Sequence, residues 1–122
     1  ITYSLECRME ELITVNVRKI TTVLHALLVN AIESLEQSDN KKKLSIVACR
    51  EEGCIIVMVS DTGCGFEKGY DTTIFSIGTS TKQRTGFGLH NAANLIHEIG
   101  GKISAKSKGL GQGATFTISI PI

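Results

Sequence analysis

Charge of one sign is what this sequence has least to spare. Thirteen Lys and Arg stand against twelve Asp and Glu, a formal net charge of +1. The longest basic run, Lys41-Lys42-Lys43, lies in a polar stretch that reads as a solvated loop. With no basic face to displace counterions, neither nucleic acid nor a membrane surface is an expected partner. The four cysteines, Cys7, Cys49, Cys54 and Cys64, lack metal-ligand spacing. Cys49 and Cys54 read as buried strand thiols, which makes a reducing cytoplasm the simplest compartment. Apolar runs stop far short of the ~20 residues a membrane helix needs, and no signal-peptide pattern opens the chain. Internal repeats and low-complexity tracts are missing. So are two phosphate-binding signatures: there is no Gly-x-x-x-x-Gly-Lys-[Ser/Thr], and Gly86-x-Gly88 lacks the third glycine of a dinucleotide fingerprint. The sequence begins at Ile1 in a strand-like pattern and reads as a piece of a larger protein.

What is there suits one folded unit. The 122 residues are enough for a single domain with its own core and too few for two. Hydrophobic residues at 42% and charged residues at 20% give a globular balance. Residues 1–8 alternate apolar and polar and predict an edge strand, and residues 10–16 admit a short strand at Leu12–Val15. From Val17 to Gln37 the period lengthens. Ile20, Val23, Leu24, Leu27, Ala31 and Leu35 recur at three- and four-residue steps, so this is an amphipathic helix with Asn16 as its N-cap. Leu44–Arg50 and Cys54–Ser60 predict a hairpin around Glu51-Glu52-Gly53. Residues 67–85 read as a loop with an apolar patch at Ile74, Phe75 and Ile77. A second helix, opened by Gly86, is expected over about Gly88–Ile99, ended by Gly100-Gly101. Lys102–Lys108 and Ala114–Ile120 predict a second hairpin. The fold class is therefore α+β: a two-layer sandwich, with a mixed, mostly antiparallel sheet covered on one face by helices.

Three stretches carry chemistry. The apolar run Cys54–Val59 ends in Asp61-x-Gly63-x-Gly65. A strand end fixes a carboxylate, and glycines leave room for a flat ligand against the backbone. The same pattern also occurs in plain turns and calcium loops. Asn30 lies on the margin of the first helix's apolar stripe, where an amide oxygen can serve as a hard ligand for Mg²⁺. Gly78-Thr-Ser-Thr-Lys82 leads to Gly86-Phe-Gly-Leu89 at a helix start, where free N–H groups and the helix dipole suit phosphate. Lys82 can add a cation there, and Thr79, Ser80 and Thr81 can add hydroxyl donors. Thr115, in Gly111-Gln-Gly-Ala-Thr115, lies on the sheet face opposite Phe116, Ile118 and Ile120; alternation alone does not say which face is the core.

The order of these parts resembles the N, G1, F, G2 and terminal boxes of the GHKL ATP-binding (Bergerat) fold, a superfamily of histidine kinases, Hsp90, DNA gyrase and MutL. Asn30, Asp61-x-Gly63-x-Gly65, Phe75, Gly86-x-Gly88-Leu89 and Gly113-Ala-Thr115 supply the boxes, and the likeness spans nearly the whole chain. Within the superfamily the chain looks like the ATP-binding catalytic domain of a sensor histidine kinase. Residues 75–121 are most similar to hybrid sensor kinases. The resemblance implies that Asp61 accepts a hydrogen bond from the adenine amino group, with Thr115 assisting through a water. It implies that Gly63 and Gly65 admit the base and that Asn30 holds Mg²⁺. Thr81, Lys82, Gly86, Phe87, Gly88 and Leu89 would hold the phosphate tail, and residues 76–85 would form a short lid. ATP and Mg²⁺ are the implied cofactors. The implied partners are the protein's own dimerisation and histidine-phosphotransfer domain and a response-regulator receiver domain.

Two departures matter. Histidine kinases usually carry an amide one helical turn before Asn30, and gyrase and Hsp90 carry a water-activating Glu there. This chain has Ala26, which can do neither, and the adjacent His25 points about 100° away as a surface residue. The phosphoacceptor is absent too: His25, His90 and His97 all fall inside the ATP-fold pattern, so the acceptor histidine lies outside this sequence. A nucleotide-sensing or docking module without kinase activity, and a serine kinase of the anti-sigma type, stand as the alternatives.

Overall fold

A strand–helix–strand unit opens the chain. Strand β1 (Thr2–Cys7) is followed by helix α1 (Val17–Glu36) and strand β2 (Lys43–Glu51). In the computed structural model β1 pairs with β2 in parallel, Tyr3 opposite Leu44 and Leu5 opposite Ile46. Parallel neighbours need a crossover, and α1 is that crossover. The structure describes residues 2–8, 16–67, 69, 70, 75 and 85–122, and of 85–87 the backbone alone. The strand expected at Leu12–Val15 and the loop residues Thr79–Lys82 lie outside the described residues.

Strand β3 (Cys54–Asp61) returns antiparallel to β2 through the turn at Glu52 and Gly53, both at positive φ. Helix α2 (Thr85–Glu98), β4 (Lys102–Lys106) and β5 (Ala114–Pro121) complete the chain. The sheet order is β1-β2-β3-β5-β4, with β1 at one edge, as its alternation predicts, and every pair but the first antiparallel. Both helices lie on one face, giving the expected two layers.

Alternation along the central strands decides which face is the core. Ile55, Val57 and Val59 of β3 and Phe116, Ile118 and Ile120 of β5 are buried against Val23, Leu27 and Ala31 of α1 and Leu89, Ala92 and Ile96 of α2. Burial of each large apolar side chain stabilises by roughly 1.5–3 kcal/mol. Asp61 continues the same inward series at the end of β3, where a polar group meets the helix layer.

The ends of α1 and α2 follow local chemistry. Asn16 caps α1 by accepting the Lys19 N–H at 3.1 Å. Gly100, at φ +78, closes α2 as Gly100 N–H donates to His97 O at 3.0 Å and Gly101 N–H to Ile96 O at 2.9 Å. The second helix starts at Thr85, one residue before its expected opening at Gly86, and the turn expected ahead of Gly88 is already helical. Gly86 and Gly88 thus sit inside its first turn despite costing about 1 kcal/mol each in helix propensity. A side chain at Gly88 would lie 3.9 Å from the Ala26 Cβ, so the two helices approach closely there.

Candidate functional site

The Asp61 carboxylate is 7% exposed and is held from two directions. Its Oδ1 accepts the N–H of Gly63 at 2.9 Å and the hydroxyl of Ser34, on α1, at 3.3 Å. Ser34 is itself buried, and its oxygen accepts the Cys64 N–H at 3.0 Å. The loop after β3 is thereby fastened to the helix in front of it. Its other side is fastened to the turn between β4 and β5. Gly111 N–H donates to Cys64 O at 2.7 Å, Gly113 N–H to Gly63 O at 3.1 Å, and Phe66 N–H to Ser107 Oγ at 3.2 Å.

The glycines of this loop serve closure. A Cβ on Gly63 would stand 2.2 Å from Ser34 Oγ and 2.6 and 2.7 Å from Ser34 C and O. A Cβ on Gly65, which sits at φ +61, would stand 2.7 Å from the carbonyl oxygens of Gly109 and Gly113. The expectation that these glycines leave room for a flat ligand changes accordingly. The room is taken by the protein's own backbone, and the missing side chains let three segments meet around Asp61.

Asn30 is half-buried at the margin of α1, as its place in the stripe predicts. Ala26, Asn30 and Ser34 follow at four-residue steps and so share one side of the helix, spanning about 12 Å from first to last at 1.5 Å per residue. Ala26 lies beside Gly88, and the Lys19–Glu98 ion pair at 2.9 Å joins the opposite ends of the two helices, which therefore run antiparallel. Carried one turn further, that alignment sets Asn30 just ahead of the first turn of α2. Its free N–H groups and positive dipole end favour an anion. The line along α1 thus has an anion-favouring helix start at one end and the Asp61 carboxylate at the other. Leu89 is 1% exposed in the core, so its side chain is not available to a ligand. Gly86 and Phe87 lie in the first helical turn, whereas Thr81 and Lys82 lie outside the described residues.

Thr115 is placed elsewhere. It sits opposite Ser60 in the β3–β5 pairing, with the two hydroxyl oxygens 3.0 Å apart on the sheet face turned away from the helices. The residue of β5 that stands opposite Asp61 is Ala114. The expectation that Thr115 assists at Asp61 is therefore corrected: the two-residue alternation of the strand carries its side chain to the other face. His25 is exposed, as expected. Phe75 packs edge-on to Phe116 with centroids 6.1 Å apart, and its carbonyl lies 3.1 Å from His90 Nδ1, which must donate there.

Ser34, Ser107 and Asn40 are functional-loop residues that the sequence reading misses. Ser34 falls seven residues after Leu27, a polar residue inside an apolar stripe, and that is a legible signal. Ser107 and Asn40 leave none. Ser107 Oγ gathers the Phe66 N–H and donates toward Gly113 O at 2.6 Å. Asn40 Nδ2 donates to Gly111 O at 2.7 Å.

The donor set suits a nucleotide with Mg²⁺. Asn30 offers one hard oxygen, which fits an ion that keeps several waters and takes further oxygens from phosphate. The Asp61 Oδ1 already accepts from Gly63 N–H and Ser34, and a carboxylate in that setting suits a ligand that donates.

Residues 15–122 match the sequence model of the family described as Histidine kinase-, DNA gyrase B-, and HSP90-like ATPase. The sensor protein CitS of Bacillus subtilis is 34% identical over 101 residues, 82% of this chain and 18% of CitS. The sensor protein FixL of Bradyrhizobium diazoefficiens is 34% identical over 104 residues, 84% of this chain and 20% of FixL. The chain thus spans only about a fifth of the length of these relatives. The solved catalytic domain of the histidine kinase ThkA superposes with a TM-score of 0.80 at 28% identity, covering 98% of this chain and 77% of that one. Full-length ShkA in complex with AMPPNP shares the fold, with a TM-score of 0.86 at 23% identity, 98% of this chain and 25% of that one. The chain belongs to the histidine kinase-, DNA gyrase B- and HSP90-like ATPase family, and within it stands with the catalytic domains of sensor histidine kinases.

Proposed function

We propose that this chain is the nucleotide-binding part of a larger two-component sensor kinase, and that it presents ATP to a histidine on a helical dimerisation domain outside this sequence. In that reaction the bond between the γ-phosphorus and its bridging oxygen breaks, a P–N bond forms on the histidine, and ADP leaves. The phosphoryl group then passes to a response-regulator receiver domain.

The observation that carries the reading is the carboxylate of Asp61, buried at a strand end and held by Gly63 N–H and by Ser34 on the helix that also bears Asn30. Asp61 accepts from the exocyclic amine of adenine, and the first turn of α2 receives the phosphates. Mg²⁺, when bound, neutralises phosphate charge, and the Asn30 amide oxygen is the ligand this chain supplies to it. Phosphoryl transfer needs mainly positioning and charge neutralisation, and these residues provide both without a nucleophile of their own. The isolated domain should accordingly bind ATP and turn it over little.

A second reading rests on Ala26. With no amide or carboxylate one turn before Asn30, the domain would sense nucleotide or dock a partner without transferring phosphate. Incubating the whole protein with Mg²⁺ and γ-labelled ATP separates the readings. The kinase reading expects acid-labile, base-stable label on the protein itself. Bound nucleotide with no label would favour the sensing module. Acid-stable label on a separate partner would point to a serine kinase.

A further inference from the structure

We propose that Ser34 is a positioning residue that sets purine selectivity at this site, acting through Asp61. The inference rests on the reading that Asp61 receives adenine.

The hydroxyl of Ser34 has one proton and a fixed set of neighbours. Asp61 Oδ1, 3.3 Å away, accepts the Ser34 hydroxyl, so the Ser34 proton goes there. The Ser34 oxygen accepts the Cys64 N–H at 3.0 Å, and Cys64 Sγ at 3.5 Å becomes a donor to it in turn. The bonds therefore run in one direction, from the loop backbone and thiol through Ser34 to the carboxylate. Hydrogen bonds arranged this way polarise one another in a buried setting. Both Ser34 and Asp61 are at least nine-tenths buried.

Two donors on one oxygen fix the carboxylate plane. Gly63 N–H acts from two residues along the same loop, a local turn-type bond that moves with the loop. Ser34 acts from α1, 27 residues away, and so references the carboxylate to the helix that carries Asn30. Gly63 keeps that contact short, because any side chain there would collide with Ser34. Adenine presents an amino donor at the position where guanine presents a carbonyl acceptor. A carboxylate held in one orientation accepts from the first and repels the second. Discrimination of this kind depends on the acceptor being unable to turn aside or admit a water. Ser34 supplies that restraint.

The test is nucleotide binding by the full chain with Ser34→Ala and Ser34→Cys, using ATP and GTP in parallel. Ser34→Ala is expected to weaken ATP binding about tenfold while leaving GTP binding within twofold, so the ATP-over-GTP ratio falls about tenfold. Ser34→Cys retains a weak donor and should give an intermediate ratio. An unchanged ratio in Ser34→Ala overturns the proposal. A parallel loss of ATP and GTP binding overturns it too, since that is the mark of a merely structural residue. If Ser34→Ala does not fold, the ratio in Ser34→Cys decides alone: a fall sustains the proposal and no change ends it. Failure of the underlying reading looks different, because the unmodified protein would then bind no nucleotide or would not prefer ATP.

Discussion

The hydroxyl oxygens of Ser60 and Thr115 stand 3.0 Å apart on the sheet face that the helices leave uncovered. Each residue is the strand neighbour of a group on the other face, Asp61 on one side and Ala114 on the other, and those two are paired across the sheet. The pleat therefore separates a polar pair outside from the Asp61 carboxylate inside by a single residue. Thr115→Val is expected to leave ATP affinity within twofold. The lost hydroxyl pair should lower stability by about 0.5–1.5 kcal/mol, and the β-branched replacement keeps the strand fit. Calorimetric titration with ATP and a thermal melt check both halves. A large loss of affinity would return Thr115 to the site.

Asp61→Asn keeps the size of the side chain and the bonds from Gly63 and Ser34, because the amide oxygen can accept both. Its NH₂ group then confronts the adenine amine donor to donor. Loss of a charge-assisted bond costs about 1.5–3 kcal/mol, so ATP affinity should fall roughly 10- to 150-fold. Isothermal titration calorimetry on the variant measures this directly, alongside a melting curve expected to shift little. Unchanged affinity would remove Asp61 from base recognition.

Gly63→Ala should damage the site through packing alone. Its Cβ would meet Ser34 Oγ at 2.2 Å, but also Ser34 C at 2.6 Å and O at 2.7 Å. Overpacking of this kind typically costs about 1–3 kcal/mol, and backbone atoms of a buried helix cannot swing aside. The double variant with Ser34→Ala should therefore recover little of the lost stability, since two of the three contacts persist. Denaturant unfolding of single and double variants provides the comparison. Full recovery in the double variant would mean that the side chain, not the helix backbone, makes the conflict.

The helix from Val17, its Asn16 cap, both hairpins and the closing Gly100 were legible in the sequence because each rests on local chemistry: periodicity, a cap, a turn residue. The start of α2 was only partly legible, because propensity argues against Gly86 and Gly88 in a helix, whereas the structure places both in its first turn. Thr115 was misassigned for a different reason. Strand alternation states which residues share a face but not which face meets the helices. The role of Gly63 was half legible. The requirement for a missing side chain could be read, but the neighbour that demands it is Ser34, 29 positions back, and contacts at that separation leave no local trace. Ser34 itself was visible only as a polar interruption of an apolar stripe.

Asn30 offers the sharpest separation between binding a base and binding its phosphates. It sits one turn from Ser34 on α1, about 6 Å along the helix from the residue that holds Asp61. If its amide oxygen holds Mg²⁺, then Asn30→Ala should leave adenosine affinity unchanged and weaken ATP affinity only when Mg²⁺ is present. Removing Mg²⁺ with EDTA should lower ATP affinity in the unmodified protein and have little further effect in the variant. The loss of one hard ligand, with water able to replace it, is expected to cost about 1–2 kcal/mol, or roughly 5- to 30-fold in affinity. Titrations of ATP and adenosine, each with and without Mg²⁺, give the four numbers required. Equal losses for adenosine and ATP would assign Asn30 to the packing of α1, and an undiminished response to Mg²⁺ in the variant would move the metal to other ligands.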